Sequence, residues 1–305
     1  MALCVVGSIA MDTITTPAGK VEETLGGSAV YFSLGASCFD VVKVVGVVGP
    51  DFPVSEKRFL AEKGIDIRGI VTGQGPTFRW EGIYGPDFGD VRTIRTELGV
   101  FASFKPRLPE DYVGTPCIFL ANIDPTLQLE VLDQVKHPRW VAVDTMKYWI
   151  DTQREKVLEV LARTDIALMN ASEVRQISRQ DNLFRGASFV LGKGPGYVVV
   201  KMGAAGAMVF GGPVPFILPA YPLEEVVDPT GAGDTFASGF LGFLAGSDSE
   251  LNFESVKKAL AYGSVNASFA CSDFGVEGLR KITRELVDER MTYYLSSNQL
   301  GEYMI

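Results

Sequence analysis

Asp228-Pro-Thr-Gly-Ala-Gly-Asp234, running without a break into Thr235-Phe-Ala-Ser-Gly-Phe-Leu-Gly-Phe-Leu244, decides how the rest of this chain is read. Three small residues, Gly231, Ala232 and Gly233, stand where a loop turns into a long apolar helix. Glycine reaches backbone angles barred to other residues and lets a ligand approach the main chain. The first N–H groups of a helix lack internal partners and carry the positive end of its dipole. Together these features predict a socket for an anion such as a phosphate. The carboxylates Asp228 and Asp234 beside it are a liability unless they bind a metal or take a proton, and phosphoryl transfer to a hydroxyl needs both tasks done.

Composition narrows what such a socket can serve. The chain has 305 residues, 47% of them hydrophobic and 21% charged. That suffices for a large core, and α/β folds of this size often form one domain. A formal net charge of −9 argues against nucleic acid or an anionic membrane as partner, since both reward basic patches. Cys4, Cys38, Cys117 and Cys271 are scattered without CxxC spacing, as expected of thiols in a reducing compartment. His137 is the only histidine, so triad or His-metal chemistry would rest on one residue in a polar stretch. No apolar run reaches the ~18 residues of a membrane span, and the N-terminus lacks a basic leader. A soluble, cytoplasmic protein is expected.

Working outward, short apolar runs recur at Leu3–Val6, Val41–Val48, Ile118–Leu120, Trp140–Val143, Ile166–Met169, Tyr197–Val200 and Ala207–Phe210. Continuous apolar runs fit strands buried on both faces, the mark of a parallel sheet covered by helices. Asn122, Asp144, Asn170 and Lys201 follow four of these runs, at the carboxyl ends where open α/β sheets bind ligands. Residues 13–24 and 77–101 read instead as hairpins, the second with turns at Gly85-Pro86-Asp87 and Gly89-Asp90. They predict a small sheet standing off the body as a flap. One domain over 1–305 is expected, α/β and doubly wound, with a mostly parallel central sheet flanked by helices and a small β-sheet lid.

Lesser motifs take their place around the socket. Asn170-Ala-Ser-Glu173 spells a capping box and also sets a carboxylate where Mg²⁺ and its waters would sit. Gly7-Ser-Ile-Ala-Met-Asp12 puts an acid beyond the first strand, suited to accept bonds from adjacent sugar hydroxyls. Gly26-Gly27-Ser28 opens a helix with Ser28 as the expected N-cap. Lys201-Met-Gly203-Ala-Ala-Gly206 predicts a tight turn between strands, and Arg79, Arg92 and Arg95 in the flap offer grips for an anionic group.

In this combination and order the motifs resemble the ribokinase-like (PfkB) family of sugar and nucleoside kinases, across nearly the whole chain. Asp228-Pro-Thr-Gly-Ala-Gly-Asp-Thr-Phe carries most of the resemblance; Gly7-Ser-x-x-x-Asp12, Gly26-Gly27, Gly46-x-x-Gly49-x-Asp51, Asn170-x-x-Glu173 and Gly203-x-x-Gly206 follow the family's order. The resemblance implies an ATP-dependent phosphotransferase with Asp234 as general base and the N–H groups of Gly231, Ala232 and Gly233 as anion hole. It implies Mg²⁺ held through water by Asn170 and Glu173, and a monovalent cation such as K⁺ near Asp228 and Thr230. The nucleotide would meet Lys201, Gly203, Gly206, Thr230 and the helix around Asn266. Asp12, Gly26, Gly27, Tyr31, Asn122 and Asp144 would face a small-molecule acceptor, and lid strands pairing between subunits imply a homodimer.

Two departures bear on the acceptor. Tyr31 stands where ribose-specific members carry an Asn, and Ala10 precedes Asp12 where an Asn is common. Both changes make the pocket more apolar and turn the expectation from ribose toward a nucleoside, a deoxy or modified sugar, or a cyclic polyol. The Cys271-Ser-Asp-Phe-Gly275-Val segment also alters the family's usual ending beside the cation site. Rival readings are a phosphosugar kinase gripping its substrate with a lid arginine, and a catalytically silent sugar or nucleotide sensor. A dinucleotide-binding oxidoreductase would want GxGxxG after the first strand, which the chain lacks.

Overall fold

The computed structural model describes residues 1–89, 91–247 and 250–299. Among them a nine-stranded sheet runs in the order β13-β12-β11-β10-β9-β8-β1-β4-β5. Its parallel strands are β1 (Leu3–Val6), β4 (Val42–Val48), β5 (Asp66–Thr72), β8 (Cys117–Leu120), β9 (Trp140–Asp144), β10 (Ile166–Asn170) and β11 (Tyr197–Lys201). The antiparallel strands β12 (Ala207–Phe210) and β13 (Phe216–Leu218) close one edge. Side chains alternate between two cores because each strand is covered twice. Leu3 and Val5 pack under α1 (Ser28–Ala36), α7 (Ala232–Gly246), α8 (Phe253–Cys271) and α10 (Arg284–Ser297). Cys4 and Val6 face the opposite layer of α3 (Pro125–Leu132), α4 (Lys147–Leu161), α5 (Ala171–Ser178) and α6 (Leu183–Leu191). Two further helices, α2 (Val54–Glu62) and the short α9 (Glu277–Arg280), complete the set.

The expected small sheet exists, in the order β3-β2-β6-β7. It comprises β2 (Ala10–Thr16), β3 (Gly19–Gly26), β6 (Phe78–Ile83) and β7 (Arg92–Glu97), with β2 and β6 paired in parallel. β2 begins before residue 13, so Asp12 belongs to this sheet and not to a turn beneath it. Asp90 of the expected second turn lies outside the described residues. Asp51 ties the sheet to the body: its Oδ1 accepts from Thr77 N and Oγ1, both at 2.8 Å, while Arg79 bridges Asp51 and Glu23. The four cysteines are free thiols, two buried and two half-buried. No helix among the described residues is long and apolar enough to cross a membrane.

Candidate active site

The Asp228–Asp234 loop is shaped by a turn. Pro229 O accepts from Ala232 N at 3.1 Å, and Gly231 sits at φ 72°, ψ 1°. Those angles are close to the third position of a type II turn, about +80°, 0°, which only residues tolerant of positive φ occupy. Space adds a second constraint, for a Cβ on Gly231 would fall 2.2 Å from the Tyr31 ring. The turn corrects one expectation. Ala232 N–H is consumed within it, so the N–H groups without a protein partner among the described residues are those of Gly231, Gly233 and Asp234.

Asp234 stands half-buried in the first turn of α7. Removal from water and the neighbouring Asp144 push its carboxyl up to about 7, against the pull of Lys201. Lys201 Nζ lies 2.5 Å from Asp144 Oδ2 and 3.4 Å from where a Cβ on Gly233 would stand, so the ammonium sits against the loop. Asp144, expected to face the acceptor, is thereby paired with Lys201 and acts electrostatically on Asp234. Next to it Glu173 is buried, and burial with Asp144 raises it to about 7 as well. The capping box forms as the sequence predicts: Asn170 Oδ1 accepts from Glu173 N at 2.8 Å, and Glu173 Oε2 accepts from Asn170 N at 2.7 Å. Glu173 Oε1 accepts nothing from the described residues.

Asp228 is fully buried, and burial raises its carboxyl. Each oxygen accepts a backbone N–H at 2.8 Å, from Thr230 and from Gly275. The side chain therefore buckles the loop to the turn that follows α8. Thr230 Oγ1 meets Tyr84 Oη at 3.2 Å and Thr16 Oγ1 donates to Val227 O at 2.8 Å, so the small sheet touches the loop at two points.

At the other end Asp12 is 5% exposed, with its carboxylate lying over Gly26; a Cβ there would fall 1.9 Å from Oδ2. Burial first, then Asp228, raises Asp12 to about 7, and the Gly27 N–H opposes the shift. Gly27, at φ 96°, is the residue that caps α1. Ser28 is instead the first helical residue, and its hydroxyl meets Ser8: Ser8 N donates to Ser28 Oγ at 3.2 Å and Ser28 N donates to Ser8 Oγ at 3.0 Å. That reciprocal pair pins α1 to the loop leaving β1. Tyr31 is 1% exposed, and its hydroxyl has no partner among the described residues; Asp12 and Asp228 are among the charges that act on it. Asn122 is half-buried and accepts from Trp149 Nε1 at 3.1 Å.

Not every candidate joins the cleft. Asn266 is fully buried in the helix layer, where its Nδ2 donates to Gly35 O at 3.1 Å and Ser238 Oγ at 3.2 Å. It ties α1, α7 and α8 together, so the expected nucleotide contact is corrected to a structural one. Gly203 (φ 58°) and Gly206 (φ 99°) form the turn between β11 and β12, and a Cβ on Gly206 would fall 2.1 Å from Leu218 O. Arg79 is engaged by Glu23 and Asp51, while Arg92 and Arg95 lie on the fully exposed β7. His137 is exposed, and a surface cavity lined by Tyr221, Phe269 and Arg290 contains none of these residues. Sequence reasoning missed Tyr84 and Trp149, which sit in no motif and reach the site only through tertiary contacts.

An acid in the first turn of a helix that opens with unpartnered N–H groups, on a doubly wound sheet joined by a small second sheet, is the arrangement expected of an ATP-dependent phosphotransferase with an alcohol acceptor. Comparison with known proteins agrees. The chain belongs to the pfkB family of carbohydrate kinases, whose sequence model matches residues 2–281. It is 32% identical over 246 residues to a cytidine kinase of Thermococcus kodakarensis, covering 78% of this chain and 87% of that protein. Its fold matches the Methanocaldococcus jannaschii nucleoside kinase with a TM-score of 0.78 at 21% identity, covering 96% and 98% of the two chains. A putative ribokinase II from E. coli, solved in complex with ATP and Mg²⁺, matches at a TM-score of 0.76 and 22% identity over 95% and 99%.

Proposed function

We propose that the protein is a nucleoside kinase that moves the γ-phosphate of ATP to a hydroxyl on the sugar of a nucleoside, with Asp234 as general base. The observation that carries this reading is the position of Asp234, one residue beyond the unpartnered Gly233 N–H and within the field of Lys201. With its carboxyl near 7, Asp234 is both ionised in part at neutral pH and basic enough to accept a proton. It takes that proton as the acceptor oxygen bonds to the γ-phosphorus and the bond to the ADP oxygen breaks. The N–H groups of Gly231, Gly233 and Asp234, with Lys201 Nζ, receive the charge that develops on the phosphoryl oxygens. Asp12, held over Gly26 and beside the Gly27 N–H, accepts bonds from sugar hydroxyls. Thr230 and the Gly203–Gly206 turn border the nucleotide. Residues 13–24 and 77–101 act as the lid of a single kinase domain.

Asn170 and Glu173 fit a Mg²⁺ ion bound through its waters. Glu173 offers a free Oε1 among acids, and the described residues contain no cluster of three or more acidic, Cys or His side chains to grip an ion directly. Bound with the nucleotide, Mg²⁺ supplies charge neutralisation on the phosphates. A K⁺ ion beside Asp228 would rely on backbone carbonyls, because both carboxylate oxygens already serve N–H groups. The exposed edge strand β7 is the surface through which a homodimer would form. The nucleoside is preferred to a phosphosugar because Arg79 is already paired and β7 turns Arg92 and Arg95 to solvent. The 32%-identical cytidine kinase supports the same choice. An assay of ADP release with cytidine, adenosine, ribose and fructose 6-phosphate tests it. Nucleosides should turn over best and EDTA should abolish turnover; phosphorylation of the sugar phosphate alone would defeat the reading.

A further inference from the structure

We propose that Asn122, locked by Trp149, reads the base of the acceptor by donating from its side-chain amide to a carbonyl oxygen or ring nitrogen. The inference rests on the nucleoside-kinase reading above. An indole N–H can only donate, so the contact at 3.1 Å requires Asn122 to turn Oδ1 toward Trp149. Chemistry thus fixes an amide orientation that the near-identical shapes of its O and N ends would leave open. The Nδ2 group then points away from the indole, and it meets no acceptor among the described residues. A half-buried amide with its oxygen satisfied and both N–H bonds unspent is a donor awaiting a ligand.

Its place in the sheet says which ligand. Asn122 follows β8, which lies between β1, leading to Asp12, and β9, ending in Asp144. Ala121 N donates to Val6 O at 3.0 Å, which keeps Asn122 beside the loop that leads from β1 to β2, the strand of Asp12. Trp149 is itself held firmly. α4 departs from helical geometry at Gln153 (φ −139°, ψ 39°), which sets its first turn apart from the remainder. Gln153 Nε2 donates to Asp124 Oδ2 at 3.0 Å, and Gln176 Nε2 donates to Lys147 O at 3.4 Å, anchoring that turn. The same segment carries Tyr148, 56% exposed, whose ring meets Trp149 edge-on at 4.8 Å, and it is preceded by the N-cap residue Met146, 38% exposed. An amide with only its donors unspent, held by an indole that has an exposed aromatic ring packed on it, matches a flat heterocycle bearing acceptors, not a bare sugar, which needs mixed donors and acceptors all round.

The test compares kcat/KM for cytidine, whose base offers O2 and N3 as acceptors, with kcat/KM for ribose. Asn122→Asp keeps an oxygen for Trp149 and replaces the donors with an acceptor. The cytidine-to-ribose ratio should fall on the order of tenfold or more, the scale of one misdirected hydrogen bond. Trp149→Phe frees the amide to turn and should lower the same ratio by a smaller factor. A ratio unchanged in Asn122→Asp, or equal losses on both acceptors, would overturn the proposal. Binding supplies a readout independent of turnover: the cytidine-induced thermal shift, measured with a non-hydrolysable ATP analogue. A shift seen in the wild type and lost in Asn122→Asp supports base reading, and its absence or persistence in both refutes it. Wild-type protein that binds cytidine without phosphorylating it would defeat the kinase assignment alone.

Discussion

Replacing Lys201 with Met removes the ammonium that faces the acid cluster while keeping most of the side chain's volume. Lys201 Nζ lies 2.5 Å from Asp144 Oδ2, with side chains 17% and 5% exposed. Removing one partner of such a buried pair strands a charge and costs about 3–5 kcal/mol. A chain of this size loses about 2 °C of Tm per kcal/mol, so we expect a fall of ~6–10 °C at pH 8. The sign of the pH dependence follows from the carboxyls. Glu173 and Asp234, each raised to about 7, contribute stability present in full below the unfolded value, about 4, and lost as pH climbs through 7. Lys201 opposes both rises, so its loss lifts them further and deepens the penalty at high pH. Melting curves of the ligand-free protein at pH 5 and pH 8 should therefore show a small gap between variant and wild type at pH 5 and a large one at pH 8. An equal gap at both values, or none at pH 8, would refute the shared electrostatic cluster.

Four further outcomes are expected. Asp234→Asn should lower kcat by about 10²–10⁴-fold in a coupled ADP assay while ATP still binds, as loss of a positioned base requires. In the wild type, kcat/KM should rise with pH along a limb near 7, where Asp234 ionises; a flat profile between pH 5 and 8 would contradict its role. Gly231→Ala must fit a Cβ 2.2 Å from the Tyr31 ring at φ 72°, so we expect a loss of about 1–3 kcal/mol by denaturant melts. Tyr31→Phe deletes a buried hydroxyl that has no partner, and the ligand-free Tm should rise by ~2 °C, since an unmade buried bond costs about 1 kcal/mol or more. A clear fall would mean that the hydroxyl has a partner.

Much of the fold was legible because central parallel strands are buried on both faces and read as unbroken apolar runs. The strands that escaped, β5 and β13, are the two edges of the large sheet: polar residues interrupt the pattern of β5, and β13 is only three residues long. In the site, the local devices could be read directly: the turn at Gly231 and the capping box at Asn170. What depends on distant partners could not. Nothing near Lys201 in sequence announces Asp144, and nothing near Asn122 announces Trp149. Asn266 was assigned to the nucleotide by resemblance alone, and only the tertiary structure shows that its Nδ2 serves Gly35 and Ser238 inside the helix layer.

Asp12 lies on β2, a strand of the small sheet, so the acid proposed to meet the acceptor and the sheet proposed as its cover are one piece of chain. Apart from Trp149, the candidate groups at the acceptor end precede residue 123, and those around the phosphate follow residue 143. A crossover within α3 between two relatives would exchange acceptor preference and its cover as a single heritable block, leaving the phosphate machinery intact. Only the seam would need rematching, chiefly Tyr31 against Gly231, Tyr84 against Thr230 and Asn122 against Trp149. Such an arrangement lets a lineage change what it phosphorylates without reinventing how.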